Sequence, residues 1–190
     1  MRDTGAVVAV ELQQKKLRLI RANSERLRLA SVAAHALDAT NASALLALLA
    51  ARAVGCDASQ GADVVVLDAP CSGMGTLRRN PEHRYQDCSR LEQLTALQDR
   101  LLDAAAQCVR PGGALVYSVC SPLEREGGER VRAFLRRHPA FTCPPVHTTH
   151  LEPFAADDAA LGGERRVVRS WTHRHRGCDS FFAARVIRDL

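Results

Sequence analysis

Two cysteines stand where a thiol can meet a substrate. Cys71 lies four residues past the apolar run Val64–Leu67, and Cys120 directly follows the run Leu115–Val119. Both runs are rich in β-branched residues and read as buried strands. Open α/β sheets bind their ligands at the carboxyl ends of strands. If the two runs are parallel neighbours, about 4.8 Å apart, both thiols face one cleft. Core cysteines fall inside strands or on buried helix faces, as Cys108 is expected to do, so a pair at two adjacent strand ends points to reactive thiols. The residues around Cys71, Asp68-Ala69-Pro70-Cys71-Ser72-Gly73-Met74-Gly75, let a backbone turn sharply and approach a ligand. Asp68 ends an apolar strand, where a carboxylate needs partners. Arg78 and Arg79 follow, placed to hold phosphates at the mouth of the cleft.

The elements that must position these residues alternate short apolar runs with longer helical ones, the pattern of an α/β fold with a parallel sheet. Ala6–Val10 reads as a strand ending at Glu11. Gln13 to Ala30 reads as an amphipathic helix with Leu17, Ile20, Leu27 and Ala30 on one face. Val32–Leu37 is a weaker strand ending at Asp38, and Ala42–Val54 an Ala/Leu helix. Asp63–Leu67 is the clearest strand. Arg90 to Val109 reads as the helix that joins it to the strand Ala114–Val119, with Arg110-Pro111-Gly112-Gly113 as the stop. A helix from Glu124 to Arg137 follows. Beyond Pro139 the period is lost, and Phe141–Val146 and Phe181–Ile187 read as closing strands around an irregular connection. With no repeat or linker visible, residues 1–190 read as one domain.

Composition narrows the function classes. The 190 residues are 46% hydrophobic and 25% charged, which excludes a disordered or fibrous chain. The longest apolar stretch, Ala42 to Ala51, is about half the roughly 20 residues a bilayer needs, so no membrane partner is expected. Seven cysteines without a secretory signal fit a reducing compartment, the cytoplasm. The net charge is +5, and all but two of the 26 basic residues (Lys15 and Lys16) are Arg. Arg forks onto phosphate and stacks on bases, which suits RNA; a coding bias toward Arg and Ala would give the same composition. Arg165, Arg166, Arg169, Arg174 and Arg176 flank Trp171 as an RNA-facing patch or a solvated basic loop. His147 and His150 near Cys143, and His173 with His175, lack metal-ligand spacing, so no metal is expected.

Three motifs, in order, resemble the Sun family of RNA cytosine-5 methyltransferases. Asp68-Ala69-Pro70-Cys71-Ser72-Gly73 followed by Thr76-Leu77-Arg78-Arg79-Asn80-Pro81-Glu82 is similar to the family's fourth motif. Tyr117-Ser118-Val119-Cys120-Ser121 is similar to its sixth, with Val119 in place of the usual Thr. Cys178-Asp179-Ser180-Phe181-Phe182-Ala183 resembles its closing Asp-Gly-Phe-Phe. The Arg-Arg-Asn-Pro-Glu segment resembles the branch acting on small-subunit ribosomal RNA. The resemblance implies a Rossmann-like class I sheet, S-adenosylmethionine as cofactor, and methylation of cytosine carbon 5 in ribosomal RNA by a monomer. It implies Cys120 as nucleophile, Cys71 as the thiol that helps release product, and Asp68 at the ring edge and beside the cofactor. Glu11 would accept from ribose hydroxyls and Asp38 would lie near the adenine amino group, though either is also readable as a solvated strand-end acid.

The family's Gly-rich cofactor loop has no counterpart. The sequence reads as an N-terminally truncated domain beginning at the second strand of the sheet, with a gap between Ala6–Val10 and Val64–Leu67. Strands facing such a gap carry unpaired backbone groups, so weak cofactor binding and aggregation are expected. Two alternatives stand beside the enzyme: a non-catalytic remnant with at most weak RNA binding, and a DNA cytosine methyltransferase in which the Pro-Cys thiol attacks. Cys120 argues against the latter, which has no need of it.

Overall fold

The structure, a computed structural model, describes residues 2–52, 61–87, 89–147, 150–161 and 163–190. Its aliphatic runs become strands. β1 (Val7–Glu11) pairs in parallel with β2 (Val32–Ala36), Val7 opposite Val32 and Glu11 opposite Ala36. Between them α1 (Gln14–Arg26) is anchored by Leu17, which is buried. The helix stops short of Ala30 because Arg28 takes a left-handed φ of 55°. Leu27 therefore leaves the packed face and is 54% exposed. α2 (Ala42–Arg52) follows as read, with the last two residues of the expected helix, Ala53 and Val54, outside the described residues.

The second sheet has the order β3-β4-β8-β7-β6, with β5 also on β8. β3 (Ala62–Asp68) and β4 (Val109–Val119) are parallel neighbours, Val64 opposite Ala114 and Asp68 opposite Ser118, joined through α3 (Ser89–Cys108). β4 begins earlier than expected and carries Pro111-Gly112-Gly113 within it. A register shift between Ala62 and Val64 absorbs the irregularity, and Gly112 supplies a φ of 71° that side chains rarely adopt. α4 starts at Gly128 (Gly128–Arg137), because the adjacent Gly127 and Gly128 break the helix expected from Glu124. β8 (Phe181–Arg188) then returns antiparallel to β4, with Val119 opposite Phe182.

The connection read as irregular contains two further strands, β6 (Ala155–Asp158) and β7 (Gly163–Ser170). Their sequences, Ala-Ala-Asp-Asp and Gly-Glu-Arg-Arg-Val-Val-Arg-Ser, have little strand propensity, and pairing of β7 on β8 and of β6 on β7 decides the outcome. The expected strand Phe141–Val146 shrinks to β5 (Phe141–Thr142), since Pro144 and Pro145 have no N–H for a ladder. β1 and β3 share neither a hydrogen bond with each other nor a common neighbour among the described residues. On β3, Val64 and Val66 are 57% and 69% exposed.

The core lies between the β4–β8 ladder and the helices α3 and α4. Leu115, Tyr117 and Val119 of β4 meet Leu102 of α3, Phe134 of α4 and Phe182 of β8, all essentially without exposed surface. Phe182 packs edge-on to Tyr117 at 6.3 Å between ring centres, and the Arg169 guanidinium lies 4.8 Å from the Phe182 ring centre. A Cβ placed on Gly127 would meet the Phe182 ring at 3.0 Å. Phe182→Ala should therefore lower stability by about 3–5 kcal/mol. It should appear as a lower urea midpoint with an unchanged slope.

Candidate active site

Parallel pairing brings the ends of β3 and β4 to one level. Asp68 sits opposite Ser118, whose hydroxyl donates to its carboxylate at 3.1 Å, and the Ala69 N–H reaches the Ser118 carbonyl at 2.9 Å. Past this point the Pro70–Gly75 loop folds back over β4. Gly73 takes a φ of 70°, and Gly75 donates its N–H to the Cys120 carbonyl at 3.0 Å. The Gly75 carbonyl in turn accepts from the Ser180 N–H at 2.9 Å. A Cβ on Gly75 would lie 1.9 Å from the Ser180 carbonyl oxygen and 2.8 Å from that of Cys120, so only glycine fits. The stitched loop sets the Cys71 sulfur 3.4 Å from the Cys120 sulfur.

The two thiols are not equivalent. Donation from the Cys71 S–H lowers the Cys120 thiol to about 7, against the opposing effects of burial and of the Asp68 and Glu126 charges. The same contact, with burial, pushes Cys71 far above the ordinary thiol range. The contact favours a proton on Cys71 and ionisation of Cys120. Such a pair offers one thiolate nucleophile with a protonated neighbour.

A third group was not singled out from the sequence. Glu126 has no exposed surface, and its carboxylate accepts from the Ser72 N–H at 2.8 Å and the Ser72 hydroxyl at 2.6 Å. The adjacent glycines that cut short the expected helix turn Glu126 inward, and that pair was the available signal. Val119, where the resembled motif has Thr, is fully buried in the core.

Arg79 is bound within the fold. Its Nε donates to the Asp179 carboxylate at 2.9 Å, its guanidinium makes a second contact there, and the pairing lowers the Asp179 carboxyl. Arg78 is exposed, beside a hollow of about 260 Å³ lined by Leu77, Arg78, Pro81 and Arg84. Tyr85, next along, is 83% exposed. Of the second basic group, Arg165 pairs with Glu152 and Arg169 with Glu124, whereas Arg174 and Arg176 are exposed.

Glu11 and Asp38 lie at the ends of β1 and β2, on the other sheet from the thiols. Glu11 accepts the Gln13 N–H at 2.8 Å. Asp38 accepts the Thr40 N–H and hydroxyl at 2.9 and 2.8 Å, which lowers its carboxyl. The structure thus gathers Cys71, Cys120 and Asp68 and leaves these two acids on a separate sheet. Among the described residues no cluster of His, Cys, Asp or Glu is arranged to hold a metal, and no helix is long and apolar enough to cross a membrane.

Alkylation should distinguish the thiols. Cys120 should react with iodoacetamide along a curve centred near pH 7, since its thiolate fraction rises through that value. In Cys71→Ala the donor is gone while burial, Asp68 and Glu126 still oppose ionisation, so the midpoint should move up to the ordinary thiol value of about 8.5 or beyond. Peptide-resolved mass spectrometry against pH reads both.

Known proteins share this arrangement of sequence and fold. The chain is 43% identical over 128 residues to the ribosomal RNA small subunit methyltransferase B of Thermus thermophilus, covering 65% of this chain and 29% of that protein. It is 31% identical over 187 residues to the ribosomal RNA small subunit methyltransferase F of Shewanella amazonensis, covering 98% of this chain and 36% of the relative. The chain therefore spans about a third of the length of these relatives. The crystal structure of PH0851 matches with a TM-score of 0.80 at 29% identity, covering 98% of this chain and 38% of that one. Residues 1–187 match the 16S rRNA methyltransferase RsmB/F family, and this chain belongs to that family of S-adenosylmethionine-dependent methyltransferases.

Proposed function

We propose that this chain carries the thiol centre for methylation of cytosine carbon 5 in ribosomal RNA, with Cys120 as nucleophile and Cys71 as the group that releases product. The observation that supports this most directly is the 3.4 Å contact between two thiols of opposite ionisation tendency. Carbon 5 of cytosine is a poor nucleophile until a thiolate adds to carbon 6 and turns the ring into an enamine. Cys120 is the thiol that ionises near neutral pH. Asp68, held by Ser118 at the strand end, is placed to hydrogen-bond the ring edge as charge develops.

S-adenosylmethionine, when bound, supplies an electrophilic methyl group. Of the acids at the strand ends, Glu11 would accept from its ribose hydroxyls, Asp38 would accept from its adenine amino group, and Asp68 would contribute a further acceptor to its site. Product release then requires a base for the carbon 5 proton so that the Cys120–carbon 6 bond can break. Cys71 is held protonated chiefly by sharing its hydrogen with Cys120. Once Cys120 is bonded to the ring that cause disappears, so Cys71 can lose its own proton to solvent. The resulting Cys71 thiolate takes the carbon 5 proton as the Cys120–carbon 6 bond breaks. A target base must leave its stack to enter such a cleft, which looped or single-stranded RNA permits at low cost. Free thiols also call for a reducing compartment, which the cytoplasm provides.

A second reading, a weak RNA binder without turnover, draws on the separation of the two sheets, since Glu11 and Asp38 share no ladder with the thiol-bearing strands. Calorimetric titration with S-adenosylmethionine separates the two: micromolar binding supports the enzyme, and no heat supports the binder.

In a cofactor-competent form on its RNA, Cys120→Ala should abolish methyl transfer and leave no covalent adduct. Cys71→Ala should instead trap protein on RNA, because attack proceeds and release fails. Denaturing gels read both, and an adduct that needs Cys71 but survives loss of Cys120 would reverse the roles.

RNA binding should weaken with salt, by roughly 0.7 in log–log slope per phosphate contact on a single strand. Arg78→Ala should reduce that slope by about one such contact. Arg79→Ala should reduce it as well if the guanidinium reaches phosphate while paired with Asp179. Filter binding across a salt series checks both.

A further inference from the structure

Burying a carboxylate is costly unless its oxygens are well bonded, and the proposed reaction gives Glu126 no task. Glu126 has no exposed surface and no ion-pair partner among the described residues. Neutral groups hold it instead. One carboxylate oxygen takes the Ser72 N–H at 2.8 Å and the Gln98 amide at 3.3 Å, and the other takes the Ser72 hydroxyl at 2.6 Å. Both oxygens are thus spent on the residue next to Cys71. The same Gln98 amide donates to the Pro70 carbonyl at 2.9 Å, on the other side of Cys71. The main chain of Glu126 is itself fixed, because its carbonyl accepts from the buried Tyr117 hydroxyl at 2.6 Å.

We infer that Glu126 is a positioning residue: by gripping both donors of Ser72 it holds the Cys71 thiol within hydrogen-bonding distance of Cys120. A carboxylate suits this task. Its two acceptor oxygens take the N–H and the hydroxyl together, whereas a glutamine in the same space offers one oxygen and turns an NH₂ toward the other contact. The inference concerns the geometry of the thiols and stands whichever base the pair acts on.

Glu126 can affect Cys120 in two ways, and they have opposite signs. As a nearby negative charge it opposes ionisation of Cys120, so removing the charge alone would shift the Cys120 alkylation midpoint down. As the holder of Cys71 it secures the S–H donor that favours ionisation, so releasing Cys71 shifts the midpoint up. The other charged groups near Cys120, Asp68 and Arg79, are the same in every variant compared.

The experiment is peptide-resolved iodoacetamide alkylation of Cys120 against pH in the full chain, for the native protein, Glu126→Gln, Cys71→Ala and the double variant. Glu126→Gln should raise the midpoint from near 7 toward the ordinary value of about 8.5. The double variant should titrate no higher than Cys71→Ala alone, because Glu126 acts through Cys71. A midpoint that stays or falls in Glu126→Gln overturns the assignment, as does a double variant shifted beyond Cys71→Ala. Cys108, 4% exposed, reports folding and must stay unlabelled. If it is labelled in Glu126→Gln, Ser72→Ala decides, since it removes only the hydroxyl contact. A smaller upward shift there supports the inference, and an unchanged or lowered midpoint overturns it.

Discussion

Everything at the candidate site hangs on one weak contact, the 3.4 Å approach of the Cys71 and Cys120 sulfurs. An S–H donor is too weak to fix its own geometry. The backbone fixes it. Parallel pairing puts Asp68 level with Ser118, so both chains leave the sheet at one height, and each bears its cysteine shortly afterwards. The Gly75 N–H on the Cys120 carbonyl and the Ser180 N–H on the Gly75 carbonyl then close the loop in three layers.

The antiparallel return of β8 explains why three motifs far apart in sequence converge. β8 enters beside the exit of β4, with Phe182 opposite Val119, and brings Asp179 and Ser180 to the Cys71 loop. Phe182 then serves two purposes. Its ring fills the core against Tyr117, and its place in the ladder fixes the residues before it, which bind Arg79 and Gly75. The geometry of the candidate site and the core packing share the same residues here, so damage to one is felt in the other.

The parts legible in the sequence are those in which local pattern and tertiary structure agree. The β-branched runs of β3 and β4 formed parallel neighbours, and cysteines at their ends met as a strand-end argument requires. β6 and β7 are hidden because Ala-Ala-Asp-Asp and Gly-Glu-Arg-Arg carry no strand pattern; β7 is set by its pairing on β8, and β6 by its pairing on β7. Arg79 was read as a phosphate contact, and nothing local showed that Asp179, a hundred residues later, would bind it. Glu126 was hidden inside an apparent helix, although the glycines after it should have raised doubt about that helix. Inward-turned acids are hard to find from sequence because burial of charge is decided by donors that arrive from elsewhere, here Ser72 and Gln98.

The charges around Cys120 give the arrangement its logic. Asp68 and Glu126 both oppose its ionisation, and burial does too, so Cys120 standing in these surroundings without its partner would be a poor nucleophile. Donation from Cys71 is the largest effect and reverses the balance. The Cys120 thiolate is therefore favoured near neutral pH by the protonated Cys71 beside it. In the proposed reaction this makes the two steps interdependent: attack uses a thiolate that Cys71 stabilises, and the same attack removes the acceptor that kept Cys71 protonated. Completion of the first step thus frees Cys71 to lose its proton to solvent and serve as the base for the second. An isolated ionised cysteine would attack as well but would have no second thiol beside it to take the carbon 5 proton.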